Sequence, residues 1–301
     1  MARSADPVQL SVAKAPAAAE GRVAALAWRR LRRSSSLVVG AAILLVVVLS
    51  AIFAPQISPY DPIDQDFASQ LLPPSVHHLF GTDEFGRDVF SRVVYGARVA
   101  LRVGVVADAI ATALGVLLGV AAGFFAGWLD AVITRLIDVM LAFPYLLLAM
   151  IVVAILGPGL TNAMVAIAIV YTPQMARVVR GVVLSVKEQE FIEAARAMGT
   201  GGFRTLGRHI LPNIVSPIIV MATLTVGFMI VETAGLSFLG LGASPPTPEW
   251  GSMLATGRGF MLTAPWIATF PGLAILVTVV AFNLVGDGLR DLLDPRLRGR
   301  I

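Results

Sequence analysis

The residue types that could carry chemistry are scarce in this chain, and those present are badly spaced for it. Three histidines occur, His77, His78 and His209, with no cysteine, so thiolate metal sites and disulfide frameworks are excluded. His77 and His78 are adjacent, which is not the helical spacing that turns two imidazoles onto one metal, and no third ligand accompanies them. Neither a Gly-x-Ser-x-Gly elbow nor a His-Glu-x-x-His pair is present. A P-loop needs its lysine directly after glycine, whereas Lys14 follows Ala13 and Lys187 follows Val186. No catalytic set, no metal site and no bound cofactor is expected, and any ATP hydrolysis must be supplied by a partner.

Polar character is concentrated instead in one insert, EFIEAARAMGTGGFRTLGRHILPN, from Glu190 to Asn213. Phe191, Ala194, Ala195 and Met198 recur at helical spacing over a short helix from Val186 to Met198. Gly199 stands where a left-handed C′ residue ends a helix, and Gly201–Gly202 extend the break. A second short helix is predicted from Phe203 to Ile210, closed by Leu211–Pro212. Small side chains flanked by Glu193 and Arg196 suit close approach by another protein, while the plain alternative is a solvated loop.

The elements that hold this insert are apolar. Hydrophobic residues make up 57% of the 301, and only 14% are charged, against roughly a quarter in soluble domains. The mean hydropathy of +0.82 agrees, and the class is an integral membrane protein. Six runs approach the ~20 apolar residues a bilayer needs, near 35–54, 100–125, 131–156, 162–183, 214–239 and 266–285. The first is too long for a signal-peptide core and no clean cleavage site follows it, so it reads as a retained anchor. The fold expected is all-α: residues 1–33 a tail, partly disordered; 34–55 the first span; 56–99 an extracytoplasmic segment; 100–288 a five-helix core containing the insert 186–212; and 289–301 a second tail. The net charge of +4 is explained by basic residues held on one side. Arg29, Arg30, Arg32, Arg33, Arg135, Arg177, Arg180, Lys187, Arg196, Arg204, Arg208, Arg290, Arg296, Arg298 and Arg300 all fall inside if both termini are cytoplasmic. The insert is then cytoplasmic too.

With that placement, EAARAMGTGGFRTLGRHILP resembles the EAA signature of ABC importer permeases: Glu193, Ala194, Ala195, Gly199, Leu211 and Pro212 match by position, and His209 departs from the usual isoleucine. HHLFGTDEFGRDVFSRVVYGARVAL, LSFLGLGASPPTPEWGSML and FNLVGDGLRDLLDPR resemble the dipeptide, oligopeptide and nickel branch. The resemblance covers nearly everything from Trp28 onward. It implies a multi-pass subunit of a prokaryotic cytoplasmic membrane whose insert is the coupling helix, with Glu193 and the two alanines in a groove of an ATPase and Gly199 setting the angle. It also implies the partners: a second homologous permease, two cytoplasmic ATPase subunits holding ATP-Mg, and an extracytoplasmic binding protein, besides lipid and with no nucleic acid. Peptides are the expected cargo, with glutathione or nickel as alternatives. An ion-gradient transporter or channel is the rival mechanism, and no internal repeat supports it.

Other residues carry narrower expectations. Thr82 suits an N-cap, with Asp83 and Glu84 in the first turn and Asp83–Arg87 and Asp88–Arg92 paired along an amphipathic helix at the outer interface. Asp108 and Glu232 fall at membrane depth, where charge is costly, and either line the path or bond between helices. Arg135 and Asp138 are expected to pair. Pro144, Pro173, Pro217 and Pro271 interrupt four spans as candidate kinks. Pro246 and Trp250 belong to a stiff outer loop, where Trp250 is a headgroup-belt residue or faces the binding protein.

Overall fold

A computed structural model of the protein describes residues 35–293. The basic cluster Arg29–Arg33, the tail before it, and Arg296, Arg298 and Arg300 lie outside the described residues. Within them the chain is all helix and connection, in the order α1 Ser35–Ile52, α2 Val89–Phe125, α3 Gly127–Leu141, α4 Tyr145–Leu156, α5 Leu160–Lys187, α6 Glu190–Ala197, α7 Leu211–Phe238, α8 Trp250–Gly257 and α9 Trp266–Leu293. Five helices are long and apolar enough to cross a membrane, and a sixth crossing is made only if α3 and α4 count together.

That pair is the third apolar run, broken at Pro144, one of the candidate kinks. α3 and α4 meet at 96° across Ala142–Pro144. Pro144 donates no backbone hydrogen bond and pushes Phe143 off the helical region, so one helix ends and another starts from the proline carbonyl, which accepts from Leu148 N at 3.0 Å. Pro173, Pro217 and Pro271 lie inside continuous helices and break none of them.

The bundle is drawn together by glycines. On α2, Gly115, Gly119 and Gly123 face α5, and a Cβ on each would stand 2.6 Å from Met175 Cβ, 2.5 Å from the Ala176 carbonyl and 2.9 Å from Val183 Cγ1. Spaced four apart, they form a stripe along which two backbones approach as they do in membrane helix pairs. Gly40 and Gly288 do the same for α1 and α9, where added Cβ atoms would meet Leu284 and Leu37. Because α1 packs antiparallel to α9, Ser35 and Leu293 sit at the end of the bundle that carries the insert. The connections 58–88 and 239–265 meet at the opposite, far end, through Trp266 Nε1 donating to the Thr82 carbonyl (3.0 Å) and Trp250 Nε1 to the Val93 carbonyl (2.9 Å).

The far end also departs from expectation. Thr82 starts no helix; α2 begins at Val89, capped by Asp88, whose carboxylate accepts from Ser91 N at 2.7 Å. Residues 82–88 form a turn closed by a Thr82–Asp88 bridge, with Gly86 at φ +73°. The Asp83 carboxylate accepts from Phe85 N and Arg87 N at 2.9 and 3.0 Å, which gives these amides an alternative to a helical ladder. Arg87 Nε reaches Asp83 at 2.6 Å, so that expected pair forms in a turn, while Arg92 points to Asp83 (3.5 Å) and the Pro62 carbonyl (2.8 Å) rather than to Asp88.

Candidate functional site

The insert begins where α5 ends. Lys187 turns back, and its ammonium donates to the carbonyls of Phe124 (2.9 Å) and Gly123 (3.3 Å), satisfying the otherwise open C-terminus of α2. α6 follows at once. Its buried residues are Ile192 and Ala195, which turn toward the bundle; Ile192 packs with Ile210, Ile214, Val179, Val183 and Val186. Burying one such isoleucine is worth about 2 kcal/mol. This corrects the placement of Ala195 in a free groove-facing surface, since its side chain is only 2% exposed. The free face instead carries Phe191, Ala194 and Met198, with Glu190, Glu193 and Arg196 exposed beside it.

Gly199 ends α6 as expected, at φ +80° and with open space around it. Thr200 N donates to the Ala195 carbonyl at 3.0 Å, the six-residue closure of a Schellman end. The predicted stop at Leu211–Pro212 does not occur. A helical turn Gly202–Thr205, a π-helical turn Leu206–Ile210 and α7 follow one another without a gap, giving one apolar helix of 37 residues from Gly202 to Phe238. Pro212 explains the wide turn: it cannot donate a backbone hydrogen bond, and its ring crowds the carbonyl four residues back. Leu211 N donates to the Leu206 carbonyl five residues back, and Asn213 Nδ2 takes up the His209 carbonyl at 2.6 Å. The His209 ring lies 6.5 Å from that of Phe191, so it borders the free face of α6.

Two of the arginines expected near this end are engaged. Arg180 makes two bonds to Asp130, at 2.6 and 2.7 Å, and Arg177 reaches Asp138 at 2.5 Å. Asp138 therefore pairs across helices with Arg177 rather than along its own helix with Arg135. Nothing in local spacing signals these pairs, because they join α3 to α5.

At membrane depth, Asp108 is buried midway along α2, while Glu232 is half-buried near the far end of α7. Asp108 shares a narrow pocket with Tyr171, Gln174 and Thr225; Glu232 is not in it. Tyr171 stacks on Tyr145 of α4 with ring centroids 5.3 Å apart. At the far end, Pro246 is exposed as expected. Trp250 is neither a belt residue nor partner-facing: it is 3% exposed, over Gly96 of α2. Glu249 beside it caps α8, accepting from Gly251 N (2.9 Å) and Ser252 N (2.7 Å). His78 Nδ1 lies 3.0 Å from Asp88 Oδ1, and His77 shares a cavity of about 690 Å³ with Asp61, Asp64 and Asp66. No group of three metal-ligating side chains occurs among the described residues.

The pattern of this chain recurs in known proteins. Residues 115–299 match the family model for binding-protein-dependent transport system inner membrane components. Residues 24–74 match the N-terminal transmembrane domain of oligopeptide transport permease C. A dipeptide transport system permease of Alkalihalophilus pseudofirmus is 47% identical over 90% of both chains. A glutathione transport system permease of Shigella flexneri serotype 5b is 52% identical over 90% of both. Among solved structures, an inward-facing methionine ABC transporter matches 67% of this chain and 97% of its own, with a TM-score of 0.57 at 19% identity. That likeness is one of fold.

Proposed function

The chain belongs to the inner membrane components of binding-protein-dependent transport systems, the permease subunits of bacterial ABC importers, and on that premise we propose that it imports di- or oligopeptides, coupled to ATP through α6. The insert end faces the cytoplasm, where two ATPase subunits carrying ATP-Mg dock, one of them on this chain. A second, homologous permease completes the path, and an extracytoplasmic binding protein delivers cargo to the far end. Peptide-type cargo is favoured because the named relatives carry a dipeptide and glutathione, both amides of amino acids.

The observation that carries the coupling reading is the division of α6 into two faces. Ile192 fastens it to α5 and α7 with Ala195 buried on the same helix, while Phe191, Ala194 and Met198, flanked by Glu193, remain uncovered. An apolar patch rimmed by Glu190, Glu193 and Arg196 fits a groove whose rim carries the complementary charges. Ala195 then acts by holding α6, Gly199 sets its angle to the following helix, and Leu211 and Pro212 shape the π turn. Closure of the ATPases on ATP displaces α6, and α5 and α7 move with it through the isoleucine contacts. Such a displacement shifts the balance of inward- and outward-open states only because ATP and the loaded binding protein prefer different ones. Glu193→Arg in the reconstituted complex is expected to leave the permeases assembled and membrane-inserted but to lower peptide-stimulated ATP hydrolysis and uptake together by about tenfold. Full ATP-driven uptake by this variant would sink the coupling role.

A further inference from the structure

The Asp108 carboxyl has no charged counterpart among the described residues; the neutral Thr112 hydroxyl, one turn along α2, is the polar group beside it. Asp108 is 6% exposed, and its Oδ1 has no hydrogen-bond partner. Asp108 is in no ion pair among the described residues. Arg177 and Arg180 on the facing helix α5 are taken by Asp138 and Asp130. An isolated carboxyl in a membrane interior costs several kcal/mol or more and is ordinarily paired. The pocket it enters is lined otherwise by neutral polar groups and by Met175, Met221 and Met229, from α2, α5 and α7 together. Tyr171 and Gln174 line the pocket from α5, and the Thr225 hydroxyl, which donates to the Met221 carbonyl at 2.6 Å, keeps an oxygen free to accept. Such a set accepts hydrogen bonds from a small cation that has several N–H groups. α5 and α7 are also the two helices that flank the insert, so the pocket lies between elements that ATP-driven motion would separate.

We infer that Asp108 is a binding site for the cargo's ammonium group, closed in this conformation and opened when α2, α5 and α7 part. The inference rests on the proposed peptide cargo, whose free amino terminus is a primary ammonium; it adds that this amine is read within the permease as well as by the binding protein. The methionines supply polarizable, adaptable walls for variable side chains, while Asp108 anchors the invariant amine.

The test uses the whole complex in proteoliposomes, with binding protein saturated by a dipeptide or by its N-acetylated counterpart. The wild type is expected to take up the free-amine dipeptide about tenfold faster or more, since a buried acceptor left unpaired discriminates strongly. Asp108→Asn lowers the faster rate and brings the ratio near one, and Asp108→Glu restores part of it. A second readout does not depend on the acetylated cargo being carried: carbodiimide labelling of Asp108, followed by mass spectrometry, falls during turnover with dipeptide-loaded binding protein relative to empty binding protein. An unchanged ratio in Asp108→Asn, or labelling indifferent to cargo, overturns the inference. So does loss of the second permease from the purified Asp108→Asn complex, because the missing cation would then belong to that subunit. Uptake of neither peptide by the wild type instead defeats the peptide reading itself.

Discussion

Glu249 shows how one side chain can tune stability at the far end of the bundle. It is 5% exposed, and burial pushes its carboxyl above the ordinary glutamate range, against the opposing pull of the Gly251 and Ser252 amides. An acid with a raised folded-state pKa keeps its proton where the unfolded chain has lost it. Its contribution is fully present below the unfolded value and is lost as pH rises through the folded one. The melting temperature of the purified complex should therefore fall with rising pH across the window just above the ordinary glutamate range, and Glu249→Gln should flatten that slope. An equal slope in both proteins would remove Glu249 as the cause. The residue was not legible in sequence, where it reads as one acid among prolines; only the folding of α8 onto α2 and α7 buries it. Gly199 was legible because a helix end has a local backbone requirement. Ala195 was not, since Phe191, Ala194 and Met198 and the pair Ile192 and Ala195 give α6 two apolar sides, and eight residues do not say which one faces in.

At the scale of elements, the α2–α5 seam depends on closeness rather than on side-chain mass. A Cβ at Gly119 would meet the Ala176 carbonyl at 2.5 Å and Val179 Cβ at 2.7 Å, and the first of these is backbone that cannot swing aside. Gly119→Val should cost about 1–3 kcal/mol and reduce the yield of assembled complex, measured by co-purification and thermal unfolding. Gly181 supplies the control: it lies in α5 with nothing within 4 Å of its missing Cβ, so Gly181→Ala should be neutral or slightly stabilising. Equal effects at the two positions would mean that the seam is not packing-limited. The long helices were readable because an apolar run of bilayer length admits few other fates. The bend between α3 and α4 was marked by Pro144, but Pro173, Pro217 and Pro271 were marked equally and broke no helix. A proline sets a local vacancy; whether the chain breaks there depends on what packs around it.

At the scale of the whole molecule, both described chain ends and the insert share one face, with 58–88 and 239–265 on the other. The chain has no cysteine, so single reporters can be introduced without removing any. Met198→Cys and Phe67→Cys replace exposed residues on the two faces. In intact cells stripped of outer barriers, a membrane-impermeant maleimide should label Phe67→Cys directly and Met198→Cys only after permeabilisation. The reverse order would invert the assignment of inside and outside. The arginines carry that expectation, whereas the engagement of Arg180 by Asp130 and Arg177 by Asp138 was not legible, because only the packing of α3 against α5 brings those acids to it.

The π turn at Leu206–Ile210 also sets the helical phase of everything after it. Each residue advances an α-helix by about 100°, so the extra residue held in that turn decides which way every side chain from Ile214 to Glu232 points. Were the turn to tighten to ordinary α-helix, with its surplus residue passed along the chain, α7 would screw round by that angle. Thr225 and Met229 would leave the Asp108 pocket, and the exposed Ile219 and Phe228 would change sides. Pro212, two residues past the turn, acts as the pin that keeps this screw from advancing.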